Sequence, residues 1–221
     1  MLTSVPSVKP IGGLNNNFTI ENAEKLASNR GAGWHITNMA AESALQMLEL
    51  VEFGSLNGQE SLGKGICNIT ANNSYNCASY TGSTSNLGNT SGRATATINE
   101  INGIETSYTD EDKTAINYRG TENPWGNFWH FVGGANIYGD ASKGGGILYI
   151  CTDFNYSNTL SNNYESVGFN IPSTYNWISG FGYGDPDYDW VFMPAECSSN
   201  ANSLYPVGDY VWTVANLNNI N

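Results

Sequence analysis

The stretch Tyr118-Arg119-Gly120-Thr121-Glu122-Asn123-Pro124-Trp125-Gly126-Asn127-Phe128-Trp129 constrains this fold more than any other part of the chain. Trp125 and Trp129 stand four residues apart, and Phe128 and Phe131 three apart, a spacing that alone would suit one helix face. Pro124 and Gly126 oppose that helix, because proline removes an amide donor and restricts the residue before it, and glycine is costly inside a helix. The segment therefore reads as a turn that delivers a strand, pinned by buried rings.

Large rings recur from Trp34 to Trp212 without interruption, so the 221 residues are expected to form one domain over residues 20–221, led in by a linker or extended edge segment over 1–19. Pro6, Pro10, Gly12, Gly13 and the run Asn15 to Asn17 give that lead-in its character. Eight Lys and Arg face 20 Asp and Glu, a net charge of −12, and no basic run could neutralise a phosphate backbone, so nucleic acid is not an expected partner. Charged residues make up only 13%, while Asn, Ser, Thr, Gly and Tyr abound, the chemistry of binding surfaces that work by hydrogen bonds and rings. No apolar run reaches the length a bilayer needs, and Met1 to Gly13 has neither a basic nor an apolar signal region, so membrane insertion and a Sec-type signal are not expected. Cys67, Cys77, Cys151 and Cys197 admit three full pairings, but unpaired thiols fit the pattern equally well, and no Cys-x-x-Cys spacing points to a thiolate metal site.

Along the chain, Thr19 is a candidate N-cap for a helix from Ile20 to Arg30, stopped by Gly31 and Gly33. Trp34 to Ile36 reads as a brief strand. Thr37 or Asn38 caps a second helix reaching about Phe53, in which Met39, Ala40, Ser43, Ala44, Met47, Leu48 and Val51 recur as one buried face, closed by Gly54. Asn57-Gly58 and Asn102-Gly103 mark tight turns, and the Asn/Ser/Thr/Gly-rich stretch from Asn68 to Gly92 reads as a long surface excursion or mobile insertion. Short strands follow over Phe131–Tyr138, Gly146–Phe154, Ser166–Ile171, Trp177–Phe181, Trp190–Met193 and Asp209–Thr213. Helices first and strands later predict an α+β domain, two helices packed on a small twisted antiparallel sheet.

Several motifs in order resemble those of phage tail-fibre and tail-tip adhesins. They are Gly31-Ala32-Gly33-Trp34-His35, Glu52-Phe53-Gly54, Asn57-Gly58-Gln59 with Gly63-Lys64-Gly65, the Tyr118–Trp129 stretch, Tyr188-Asp189-Trp190-Val191-Phe192-Met193-Pro194 and Pro206-Val207-Gly208-Asp209-Tyr210. These adhesins share a C-type-lectin-like fold with formylglycine-generating-enzyme-like proteins and with the variable proteins of diversity-generating retroelements. The resemblance implies that Gly126-Asn127-Phe128-Trp129 is a core strand, that Trp125 and Trp129 staple the fold, and that long loops carry the binding surface. It also implies a further Gly-Gly-x-Trp stretch with closing strands beyond Tyr210 to Thr213; those strands are expected to be missing here, with a partner chain or another segment covering the open edge.

No nucleophile, base and orienting group stand in a known catalytic pattern; His35 and His130 each adjoin a tryptophan and read as packing or hydrogen-bonding residues, so no enzyme is expected. Cys151 and Cys197 lack the motif that surrounds the cysteine pair of formylglycine-generating enzymes. Asp185, Asp187 and Asp189 alternate on a loop and could turn oxygens toward calcium, the one cofactor candidate, although a solvated acidic turn explains the same pattern more simply. Tyr183, Tyr188 and Tyr205, with Asp187, are the candidate ligand contacts, since rings among small polar residues give contact area at low entropic cost.

The function implied is a receptor-binding adhesin of a phage tail, acting on the virion and outside the cell. It would attach to a host-surface protein or glycan and assemble with other tail proteins or copies of itself, a homotrimer first. The alternative is a structural tail or baseplate protein that uses the fold only for protein contacts.

Overall fold

The structure, a computed structural model, describes residues 5–11, 18–69, 77–98, 109, 112–140, 145–153, 155–156, 161–172, 175–199 and 210–212. Contacts gather the chain into two compact units, one of Thr19–Asn57 and Phe131–Asn221, the other of Leu2–Phe18 and Gly58–His130. A few helices and small antiparallel sheets make the fold α+β.

The first unit begins with α1 (Ile20–Ser28), capped as expected: Asn22 N donates to Thr19 Oγ1 at 3.2 Å. α2 (Met39–Phe53) starts at Asn38, whose Oδ1 accepts from Ala41 N at 2.9 Å, and ends at the left-handed Gly54. Trp34 to Ile36 forms no strand. Glu24 fixes that stretch instead, accepting from Ile36 N at 3.1 Å, and the chain next bridges Asn38 to Gly133. A second correction concerns α2: Met39 and Ser43 are buried, but Ala40, Ala44, Met47, Leu48 and Val51 are exposed, so the stripe read as a buried face lies open.

For clarity the strands are numbered along the chain. In this unit the first sheet has the order β4 (Ala135–Asp140), β5 (Gly145–Cys151), β6 (Tyr164–Pro172); the second has β7 (Tyr175–Tyr183) in the centre, between β8 (Phe192–Ser198) and β9 (Tyr210–Trp212). All neighbours are antiparallel. Leu148, Val167 and Val191 are fully buried, and together with Ile150, Ile171 and Met39 they form the core. Each of the three contributes roughly 2 kcal/mol of burial.

In the second unit β1 (Gly92–Thr95), β2 (Thr114–Tyr118) and β3 (Thr121–Glu122) form one antiparallel sheet. β2 is buried from Ala115 to Tyr118, and Ile66, Ile69, Cys77, Ala96 and Ala115 form a small apolar cluster. Residues 77–84 are no surface excursion, since Ala78 and Ser79 are wholly buried and Thr84 nearly so, whereas most of 85–90 is exposed. Residues 70–76 of that stretch lie outside the described set, as does Asn102-Gly103. Asn57-Gly58, read as a tight turn, opens a short helix, α3 (Gly58–Ser61). Residues 5–8 turn against Thr81, with Ser7 at a positive φ: Ser7 N donates to Thr81 O at 2.7 Å and Thr81 N to Val8 O at 2.9 Å.

The opening motif is the hub of this unit, through its polar groups. Arg119 and Gly120 both have positive φ and turn β2 tightly into β3. The Glu122 carboxylate accepts from Gly82 N, Thr84 N and Thr84 Oγ1, each at 2.8 Å. Asn123, 5% exposed, exchanges bonds with Ile116: its N donates to Ile116 O at 2.7 Å and its Oδ1 accepts from Ile116 N at 3.0 Å. Asn127 Oδ1 accepts from Ser79 N at 2.9 Å, and Trp125 Nε1 donates to Gly63 O at 2.9 Å. At Gly126 φ is +75°, and a Cβ there would overlap Lys64 O and stand 3.0 Å from Gly65 Cα. Gly126–Trp129 is not a strand, and Trp129 is 91% exposed, so the staple expected of its ring is absent. Carboxylate, carboxamides and one indole N–H do the tying.

Candidate functional site

The sequence-predicted ligand contacts fall on the connection between β7 and β8. Tyr183 pairs with Phe192 as the last rung, and Gly184 N donates to Val191 O at 3.0 Å to close the loop. Two turns follow. Tyr188 N donates to Asp185 O at 2.8 Å across Asp185-Pro186-Asp187-Tyr188, where proline's fixed φ suits the second position, and Val191 N donates to Tyr188 O at 2.9 Å. A Cβ on Gly184 would collide with the Tyr188 carbonyl, so the loop can close this tightly only around glycine.

The loop is also tied sideways to β6. Between the pairs Ile147 with Asn170 and Tyr149 with Ser166, β6 bulges at Val167-Gly168-Phe169, and Val167 O accepts from Asp185 N at 3.0 Å. Tyr188 is half-buried against the apolar core, 6.4 Å from the Trp190 ring, and its hydroxyl donates to Glu165 Oε2 at 2.7 Å. Burial, followed by this bond to a carboxylate, pushes the phenol up to about 12.

Tyr188 thus anchors the loop, whereas Tyr183 stands out from it, 68% exposed. Asp185, Asp187 and Asp189 are all exposed. Among the described residues no three His, Cys, Asp or Glu side chains are grouped to hold a metal ion, so the structure does not draw these three carboxylates together. Tyr205 lies outside the described residues. An exposed ring beside unpaired-sign charge on a backbone-locked loop can stack and hydrogen-bond with a ligand and attract cationic groups.

Glu165 was not singled out in the sequence, and nothing local marks a partner 23 residues from Tyr188. The bulge had a signal, an isolated glycine inside a strand pattern at Gly168. A second polar cluster joins α1 to the following segment: His35 Nδ1 contacts Glu24 Oε1 at 2.5 Å, and the Tyr156 ring meets the imidazole edge-on at 5.7 Å. His130 is exposed. No two of the four cysteines form a disulfide; Cys67 is exposed and Cys77 buried, and burial raises the Cys77 and Cys197 thiols.

Among the described residues no helix is long and apolar enough to cross a membrane. Comparison with protein-family profiles, curated proteins and solved structures gave no match.

Proposed function

We propose that this chain is the receptor-binding module of a phage tail, with a C-type-lectin-like architecture, attaching the virion to a bacterial surface protein or glycan. The observation that carries this reading is Tyr183, 68% exposed on a loop whose amides at Gly184, Asp185, Tyr188 and Val191 are engaged by backbone carbonyls. Such a loop loses little entropy on binding, because its shape is set before the ligand arrives. The order of elements, α1 and α2 before small antiparallel sheets, agrees with the architecture; the missing strand at Gly126–Trp129 departs from it. Labelled protein is expected to bind a subset of a panel of bacterial strains and to slow phage adsorption to those strains. Binding to no strain, or adsorption at an unchanged rate on the strains bound, rejects the role.

A structural tail or baseplate protein is the second reading, favoured by exposed rings away from that loop in sequence, at Trp129 and Phe131. Solvent accessibility of these rings in the assembled particle separates the two, since a structural role buries them between subunits.

A further inference from the structure

Among the described residues, the arm formed by residues 5–11 is hydrogen-bonded to the rest of its unit through Thr81. Ser7 N donates to Thr81 O at 2.7 Å, Thr81 N to Val8 O at 2.9 Å and Val8 N to Thr81 Oγ1 at 3.4 Å. The Thr81 hydroxyl also reaches the carbonyls of Val5 and Val8, donating to one at a time. Thr81 can do this because it lies on a strand edge. Tyr80 N donates to Thr97 O at 2.8 Å and Ser79 bridges Ile98, so residues 79–81 are paired on that side, and the alternating backbone turns the Thr81 N–H and C=O toward the arm. Beside them Pro6 lies on Gly82, where φ is +79° and a Cβ would stand 3.0 Å from Pro6 Cβ. Thr81 and Gly82 therefore make a strand-addition site, with an amide and a carbonyl to pair and a flat seat for a proline ring.

The arm is held lightly by its own chain. Val5, Val8 and Ile11 stay 46, 44 and 52% exposed, so seating the arm hides little apolar surface. Ser7 takes a φ of +61°, a left-handed conformation that is costly for a residue with a Cβ. Gly12, Gly13 and the run Asn15 to Asn17 stand between the arm and Phe18, residue types that let a chain change direction at small steric cost. Charge adds a preference. Lys9 is the only charged residue among the first 20, in a chain of net charge −12, so the arm is drawn toward another copy rather than repelled by it.

We propose that residues 5–11 are an exchangeable arm, which leaves its own Thr81 and seats on Thr81 and Gly82 of a second copy of this chain. The structure itself shows the segment that fits this site, and every copy carries that segment. The hydrogen bonds made between copies replace those lost within one, so the burial that a neighbour adds at Val5, Val8 and Ile11, with the attraction of Lys9, decides the exchange. The arm is independent of the loop at Tyr183 and stands or falls apart from it.

The test uses the full chain. Copies labelled with heavy nitrogen are mixed with copies labelled with heavy carbon, and isotope-filtered NOE spectra read contacts between them. Sedimentation from about 1 µM to about 1 mM reads association, the upper end matching the effective concentration of a tethered arm. Association that rises with concentration is expected, with a contact between Val8 of one copy and Thr81 of another. Val8→Pro removes the Val8 N–H and disfavours the Ser7 conformation; it should weaken association by about tenfold or more and leave the melting temperature within about 3 °C of the parent. Lys9→Glu, at an exposed position, should weaken association about threefold at low salt. No association across that range, association in which Val8 meets only the Thr81 of its own chain, or association that either variant leaves unchanged overturns the proposal. So does a large fall in the melting temperature of Val8→Pro, which would make the arm a fixed part of its own unit.

Discussion

The hub at Tyr118–Asn127 and the loop at Gly184–Val191 draw on the same residue types, glycine, proline, Asn or Asp and large rings, and use them in opposite directions. In the hub the side chains turn inward: Glu122 and Asn127 hold backbone amides of the distant segment 79–84, Asn123 holds that of Ile116 on the strand before it, and Trp125 donates to Gly63 O. In the loop the backbone satisfies itself through Gly184, Asp185, Tyr188 and Val191, which leaves three aspartates exposed. One region spends its polar side chains on structure and the other keeps them for solvent or a partner. Composition does not separate the two; the route of the hydrogen bonds does.

Substitutions can break this contrast, the largest effect first. Gly126→Ala forces a Cβ onto Lys64 O at a φ of +75°, and should cost about 4 kcal/mol of stability by urea unfolding. A cost below about 1 kcal/mol would mean the close approach to Gly65 is not needed. Glu122→Ala strands Gly82 N, Thr84 N and the Thr84 hydroxyl, and should cost about 3 kcal/mol, with faster hydrogen exchange at both amides. Unaltered exchange there would remove Glu122 from the hub.

Tyr188→Phe loses one bond to Glu165 and should cost about 1 kcal/mol near neutral pH. Its pH dependence sharpens the point. Below pH 10 the phenol is protonated in both folded and unfolded chains; as pH rises from 10 to about 12 only the folded chain keeps the proton, so stability falls across that window. Melting temperatures measured over the same range should fall less steeply in the Tyr188→Phe protein. The smallest effects belong to the exposed rings: Trp129→Ala and Tyr183→Ala should each lie within about 0.5 kcal/mol of the parent.

Local rules were legible wherever the structure obeys them. Thr19, Asn38 and Gly54 cap and close the helices as read, and the later strands appear close to where short β-branched and aromatic runs were bounded by turn residues. The stripe on α2 was read correctly as apolar and wrongly as buried, since helical spacing reports which residues share a face and not what faces them. Trp129 failed for a related reason: a ring's size favours burial without assigning it, and the adjacent carboxamides had already closed the hub. At the candidate site Tyr183 could be read as a loop ring, but Glu165 and the Val167 carbonyl that fix the loop come from a strand remote in sequence.

The sharpest test of the division between hub and loop is the binding of Tyr183→Ala and Trp129→Ala proteins to a bacterial strain that the parent binds, with folding checked by melting. The account predicts that Tyr183→Ala loses about tenfold or more in affinity at an unchanged melting temperature while Trp129→Ala binds like the parent. Equal binding by parent and Tyr183→Ala, or a loss confined to Trp129→Ala, would contradict it.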